Sequence, residues 1–332
     1  MGRYLITGGC GFIGSHLAES LLSGGHTVRV LDDLSSGRRE NIAPSVELIV
    51  GSVADSALVR AAMDGVDGCF HLAGIASVER GTQDWLGTHA TNQTGAITVF
   101  DAARRLSANA TGTSATSGGI GIPVVYASSA AVYGDEAAMP LTEASPTRPL
   151  SAYGADKLGC EQHARVAGIV HLVPTAGLRL FNVYGPRQDP ESPYSGVISI
   201  FCDRLSAHRP ISVFGDGQQS RDFVYIDDVV MSLRAAMASL CERARATSLI
   251  YNVCTGRPTS IVELAGLIAD LCGGRPEIVF AEPRADDIRI SLGSPDRLRL
   301  ELGVECRTGL KDGLRITLAS LRDERTAPAG KG

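Results

Sequence analysis

The apolar positions of this chain fall into short unbroken runs set between glycine-rich or polar turns. Arg3 to Thr7, Thr27 to Leu31, Val46 to Val50, Gly68 to His71 and Ile122 to Tyr126 are the clearest in the first half. Short apolar runs without alternation read as strands buried on both faces. Between them apolar residues recur with the period of a helix. Such patterns run from Gly14 to about Ser23, from Asp55 to Met63, and from Gln83 to about Arg105, the last carrying Asn92. Strand and helix in this alternation predict an α/β fold built on a doubly wound parallel sheet. The second half has helical patterns at Val197 to Ala207, Asp227 to Cys241 and Ile261 to Cys272, with short strands between, which predicts a smaller C-terminal α/β lobe. Ser107 to Gly121 is rich in Ala, Thr, Ser and Gly and reads as a flexible insertion. The tail from about Arg322 to Gly332 is polar and is expected to be disordered.

Composition narrows the class. The 332 residues are 44% hydrophobic and 20% charged, an ordinary globular balance. A net charge of −5 argues against non-specific nucleic-acid binding. No run approaches the ~20 apolar residues of a membrane span. Tyr4-Leu5-Ile6 runs straight into a glycine loop and leaves no room for a signal peptide, so a cytoplasmic protein is expected. The eight cysteines form no Cys-x-x-Cys pair and have no His at metal spacing, so reduced thiols and no metal are expected.

Two constellations carry chemistry. The first is Gly8-Gly9-Cys10-Gly11-Phe12-Ile13-Gly14, between a strand and a helix. Glycines at 8, 11 and 14 permit a tight turn, close approach to a pyrophosphate, and close helix-to-strand packing. The helix start offers free N–H groups to the phosphates. The second strand ends in Asp32-Asp33, and an acid roughly 20 residues on suits a ribose 2′-hydroxyl. Its charge repels a 2′-phosphate, which favours NAD over NADP. Arg38 and Arg39 follow and read as a solvated loop. The sheet is thus of Rossmann type.

The second constellation is Ser128-Ser129-Ala130-Ala131-Val132-Tyr133-Gly134, completed by Tyr153-Gly154-Ala155-Asp156-Lys157. Ser129 lies where a strand gives way to a loop. Tyr153 and Lys157 are four apart and share a helical face. A phenol is a poor base at neutral pH, and a cation one turn away favours its phenolate. The trio can move a proton on or off a substrate hydroxyl.

In these stretches the chain resembles the extended short-chain dehydrogenase/reductase family, and within it the UDP-hexose 4-epimerases. Further matching stretches are Leu31-Asp32-Asp33-Leu34-Ser35-Ser36-Gly37, Leu178 through Arg187, Gly215-Asp216-Gly217 to Arg221-Asp222-Phe223, Tyr251-Asn252-Val253, and Pro283 through Asp287. Together they cover about residues 1–310. The resemblance implies an NAD-binding domain over 1–179 to which about 223–253 returns. It implies a nucleotide-sugar lobe over 180–222 and 254–321.

It also implies roles. Gly8, Gly11, Phe12, Ile13, Gly14, Asp32, Asp33, Leu34, Ser35, Ser36, Gly37, Ser52, Val53, Leu72, Ala73, Gly74, Asn92 and Phe181 would line the NAD site with Tyr153 and Lys157. Asn182, Val197, Arg221, Arg284, Asp287 and Ser291 would hold the UDP-sugar with Ser129 and Tyr153. An arginine fork suits a diphosphate because it binds bidentately. Three positions depart from the family pattern. Ser52 stands for a usual aspartate, Ala131 for a frequent threonine and Asp286 for a usual glycine.

The implied activity is NAD-dependent 4-epimerisation of a UDP-hexose. Tyr153 would take the 4-hydroxyl proton, Lys157 would tune the phenol, and Ser129 would bond the reacting oxygen. A small Ser291 where related enzymes carry tyrosine would admit N-acetylhexosamines. The rivals are a 4,6-dehydratase, decarboxylase or reductase of the same family, or a non-enzymatic NAD-binding sensor. Family dehydratases carry an acid just after the active serine or threonine, where this chain has Ala130 and Ala131. A homodimer through the Gln83–Arg105 and Tyr153–Gly168 helices is the family expectation.

Overall fold

The computed structural model describes residues 1–76, 81, 83–105, 119–189, 196–283 and 288–326. Seven parallel strands form the main sheet. In chain order these are β1 (Arg3–Thr7), β2 (Thr27–Asp32), β3 (Glu47–Val50), β4 (Gly68–His71), β5 (Val124–Ser129), β6 (Thr175–Leu180) and, much later, Ser248–Val253. The last strand lies beside β6 at one edge and β3 forms the other. The order reverses at β1, which pairs with both β2 and β4. In open α/β sheets ligands bind beyond the carboxyl ends at such a reversal.

The unbroken apolar runs are explained by two cores. Ile6, Val30, Phe70, Val125 and Leu178 face one core together with Leu17 and Leu21 of the first helix, α1 (Phe12–Ser23). Their neighbours Leu5, Leu31, Cys69 and Val124 face a second core, with Val59 and Met63 of α2 (Ser56–Met63). Successive strand residues point to opposite faces, so burial of both faces demands apolar residues at every position.

Local signals set the helix starts. Asp55 caps α2 by accepting from the N–H groups of Ala57 and Leu58. Ser151 caps Ala152–Val170, the helix of Tyr153 and Lys157, by accepting from Gly154 N. Each satisfies N–H groups that the first turn leaves free. The single helix expected over Gln83–Arg105 is instead three pieces. Trp85–His89 and Gly95–Ala102 are α-helical, and Ala90–Thr94 between them is a π-helical turn. The strand expected at Ile122–Tyr126 starts at Val124 and extends through Ser129. The insertion at 107–121 lies almost wholly outside the described residues.

The second half crosses between sheets. Asn182–Tyr184, Ser220–Tyr225, Pro258–Ser260 and Ile290–Ser291 form a four-stranded sheet around Ser220–Tyr225. Ile211–Phe214 and Ile278–Ala281 form a two-stranded parallel pair. Helix Ile226–Cys241 and strand Ser248–Val253 carry the chain back to the main sheet. Leu233 and Val253 from this return share one core with Ile198 and Leu264 and with Phe223, which lies in the four-stranded sheet and not in the return expected from about residue 223. The final helix, Leu310–Thr326, runs past Arg322, where disorder was expected. Leu314 and Leu318, one turn apart, are buried and anchor it.

Candidate active site

The glycine loop is held by contacts that a side chain would break. Gly8 has φ +70°, and a Cβ there would lie 2.6 Å from Ala73 N. A Cβ on Gly14 would lie 2.2 Å from Gly8 O. Gly11 differs: a Cβ there meets only Gly8 O, at 3.3 Å. Gly11 is also the N-cap of α1 and supplies no side-chain cap. The loop therefore presents uncapped N–H groups at Phe12 and Ile13 beside open space, which fits a pyrophosphate.

Asp32 is buried under this loop. Its Oδ2 accepts from Cys10 N at 2.9 Å and its Oδ1 from Leu34 N at 2.9 Å. Burial raises its pKa, and the two N–H bonds oppose that rise. Each carboxylate oxygen keeps a second lone pair for a ribose hydroxyl. Gly37 packs against Cys10 and Asp32. Asp33 accepts from Ser35 N and Oγ, which shapes the Leu34–Gly37 loop. Arg38 bonds Asp189 at 2.6 Å, and Arg39 bonds the Ile42 carbonyl. Both arginines have protein partners.

A second wall follows β4. Thr7 Oγ1 bonds His71 Nδ1 at 2.7 Å and accepts from Ala73 N, which fixes Leu72-Ala73-Gly74. Burial, and then the charge of Lys157, pushes the His71 imidazole down to about 3, so it stays neutral. Asn92 sits in the π-helical turn with its Oδ1 2.7 Å from Ile75 N and its Nδ2 3.0 Å from Ile75 O. Its amide thus clamps the loop after Gly74. Val53 is buried against Gly95, while Ser52 Oγ accepts from Ala54 N.

The residues expected to move a proton lie on the end of β5 and on the helix that starts against it. Ser129 is the last residue of β5, and its Oγ accepts from Ala131 N at 3.1 Å. The hydroxyl proton stays available to a substrate. A Cβ on Gly154 would lie 2.7 Å from Ala131 O, so the helix of Tyr153 starts against the Ser129 turn. Lys157 is buried and donates to Ala127 O at 2.9 Å. Its Nζ lies 5.8 Å from the Tyr153 ring centroid. A Cβ on Gly74 would lie 3.3 Å from Lys157 Nζ and 3.1 Å from Asn92 Oδ1. The lysine therefore stands between the phenol and the dinucleotide wall.

Of the residues expected to hold the sugar nucleotide, Asn182, Arg221 and Ser291 lie on the four-stranded sheet. Arg221 Nη1 donates to the carbonyls of Ser220 and Ile288. Ser291 is its register partner on the next strand and is half-buried. Asp222 does not pair with Arg221 on the surface. It is fully buried and accepts from Thr255 N and Gly256 N. Asn182 starts a strand and Val197 a helix, both half-buried, whereas Phe181 is buried within 6.5 Å of the Tyr133 ring. Arg284 and Asp287, with Asp286, lie outside the described residues.

The model of the NAD dependent epimerase/dehydratase family matches residues 4–254. This chain belongs to that family. Its cofactor is NAD, and the glycine cradle, the buried Asp32 and the partnered arginines all fit it. The chain is 34% identical over 328 residues to a UDP-glucose 4-epimerase of Mycolicibacterium smegmatis, covering 97% of this chain and 99% of that one. It also resembles the solved UDP-glucose 4-epimerase of Thermotoga maritima with UDP-glucose. There the TM-score is 0.87 and the identity 30%, over 97% of this chain and 99% of the other. A UDP-N-acetylglucosamine 4-epimerase from Methanobrevibacter ruminantium, in complex with UDP-N-acetylmuramic acid, gives TM-score 0.85 and 28% identity over the same shares.

Sequence reasoning did not single out Thr7, His71 or the buried Glu161–Arg179 pair. Thr7 and His71 end adjacent strands, and only pairing makes them neighbours. Glu161 did leave a signal, because it extends the Tyr153–Lys157 spacing by one more turn.

Proposed function

We propose that this chain is an NAD-dependent UDP-hexose 4-epimerase that accepts N-acetylhexosamines as well as plain hexoses. The observation carrying the reaction is that the Tyr153–Lys157 helix starts against the turn after Ser129, with Lys157 bonded to Ala127 O and close to the Tyr153 ring. Tyr153, as phenolate, takes the proton of the sugar 4-hydroxyl. Ser129 Oγ, whose own lone pair holds Ala131 N, donates its hydrogen to the reacting oxygen. Lys157, buried and fixed by Ala127 O, points its Nζ toward the phenol ring. The Gly8–Gly14 loop and Asp32 would hold NAD, which would supply a hydride acceptor for C4 and, once the 4-keto sugar has turned over, a hydride donor to its other face. Tyr153 then returns the proton. Ala130 and Ala131 offer no acid or base for loss of water, which favours epimerisation over dehydration.

The N-acetyl reading rests on Ser291. It shares a register position with Arg221, so it lines the wall beside a cation suited to diphosphate. A tyrosine there would fill the volume that an acetamido group needs, and packed sites tolerate little overlap. The test is NMR of C4 inversion across a panel of UDP-sugars. UDP-N-acetylglucosamine should turn over at least as well as UDP-glucose. Ser291→Tyr should suppress the N-acetyl reaction by ~10-fold or more and spare the plain one. An equal response of both substrate classes would remove Ser291 as the gate.

A further inference from the structure

One buried ionic pair lies behind the site and plays no part in the chemistry above. Glu161 and Arg179 are each about 95% buried. Arg179 Nη2 meets Glu161 Oε2 at 2.7 Å and its Nε meets Oε1 at 2.8 Å, a bidentate fork. Ser128 Oγ donates to the same Oε1 at 2.6 Å.

These contacts fall on one line. Tyr153, Lys157 and Glu161 are four apart and form a single helical stripe. Lys157 bonds the carbonyl of Ala127, Glu161 bonds the hydroxyl of Ser128, and Ser129 is next along the strand. Arg179 is the register partner of Ser128 on β6, so the fork ties the helix to two strands at once. The network then leaves the helix. Arg179 Nη1 donates to the Tyr133 hydroxyl, which donates to Asn252 Oδ1. Asn252 Nδ2 bonds Leu141 O, and Leu141 N bonds Leu292 O, next to Ser291.

Stability alone is a weak reason for this arrangement. Apolar residues of similar volume in place of a buried ion pair are often neutral or stabilising. A bidentate fork supplies fixed distance and direction, which apolar packing does not. We infer that Glu161 and Arg179 are positioning residues that hold the Tyr153–Lys157 helix in register with the strand ending at Ser129. This rests on the catalytic reading of those three residues given above.

Two variants that conserve net charge test it. Glu161→Asp keeps the carboxylate and shortens its arm by one methylene. Glu161→Met with Arg179→Met removes both charges together. In each, kcat with UDP-glucose should fall ~10-fold or more, because misplacement of reacting groups slows the chemical step. KM should stay within about threefold and the NAD content should be unchanged. The double variant should melt at or above the parental temperature. A double variant with parental Tm and parental kcat would overturn the inference. If it fails to fold, parental kcat in Glu161→Asp overturns it equally. If the parent itself turns over no UDP-hexose, the catalytic reading falls and crystals of Glu161→Asp decide the positioning. A Lys157 Nζ to Ala127 O separation beyond about 3.5 Å supports it, and an unchanged hydrogen bond overturns it.

Discussion

At the scale of single residues, the proposed proton carrier differs from groups that must stay in one charge state. Tyr153→Phe keeps the ring and removes the ionisable hydroxyl. Turnover should fall by ~10² or more, with circular dichroism and NAD content at parental levels. Near-normal turnover would remove Tyr153 from the mechanism. His71 is the opposite case. Its folded pKa of about 3 lies below the ordinary imidazole value of 6.5, through burial first and Lys157 second. Between those values the unfolded chain binds the extra proton, so stability is present above 6.5 and is lost as pH falls below it. The melting temperature should therefore decline on acidification from about pH 6.5 toward 4. His71→Asn, which cannot titrate, should flatten that decline. An identical slope in both proteins would show that His71 does not carry the effect.

At the scale of elements, the glycine loop and the π-helical turn do most of the positioning. Gly14 shows how little room the loop has, since a Cβ would sit 2.2 Å from Gly8 O. Gly14→Ala should push α1 away from β1 and displace the N–H groups offered to phosphate. The purified variant should release less NAD on denaturation, with a stability loss of ~1–3 kcal/mol. Parental NAD content would show that the loop adapts. The π-helical turn places Asn92 over Ile75 and leaves the Asn92 carbonyl to Cys160 Sγ at 3.3 Å. Gly159 accommodates that turn, because a Cβ there would lie 2.4 Å from the Gln93 side chain. A regular helical period over Gln83–Arg105 gave no hint of the extra residue. A π turn depends on what packs across from it.

At the scale of the whole molecule, two helices leave apolar side chains open. Trp85 is 66% exposed and Leu86 85%, while Ile169 and Val170 on the Tyr153 helix are 65% and 60% exposed. The first pair lies near the start of the Tyr153 helix, where His89 meets Asp156, and the second pair at its end. A homodimer through these two helices is a proposal, and solution mass tests it. Light scattering should give twice the chain mass. Ile169→Asp should shift it toward the monomer, because a charge at a covered apolar contact is costly. A parental mass in that variant would place the contact elsewhere. Among the described residues no helix is long and apolar enough to cross a membrane, and no cluster of His, Cys, Asp or Glu could hold a metal. All eight cysteines are unpaired, and Cys241 is exposed while six are buried.

The sequence alone determined the alternation of strands and helices, the glycine cradle, the acidic end of β2, and the Tyr153–Lys157 stripe with Ser129 before it. Each is a local pattern whose meaning follows from backbone period, side-chain volume or spacing on one helix turn. Tertiary structure decided the rest. It turned Asn92 onto the loop after Gly74, buried Asp222 under Thr255 and Gly256, kept His71 neutral beside Lys157, and extended the last helix past Arg322. It also brought Glu161, Arg179 and Ser128 together from a helix and two strands. These outcomes depend on contacts between residues distant in the chain, and on a burial that no window of sequence contains. Hydrogen-bond partners and the polarity of the surroundings set what a polar side chain does, and both exist only once the layers have packed.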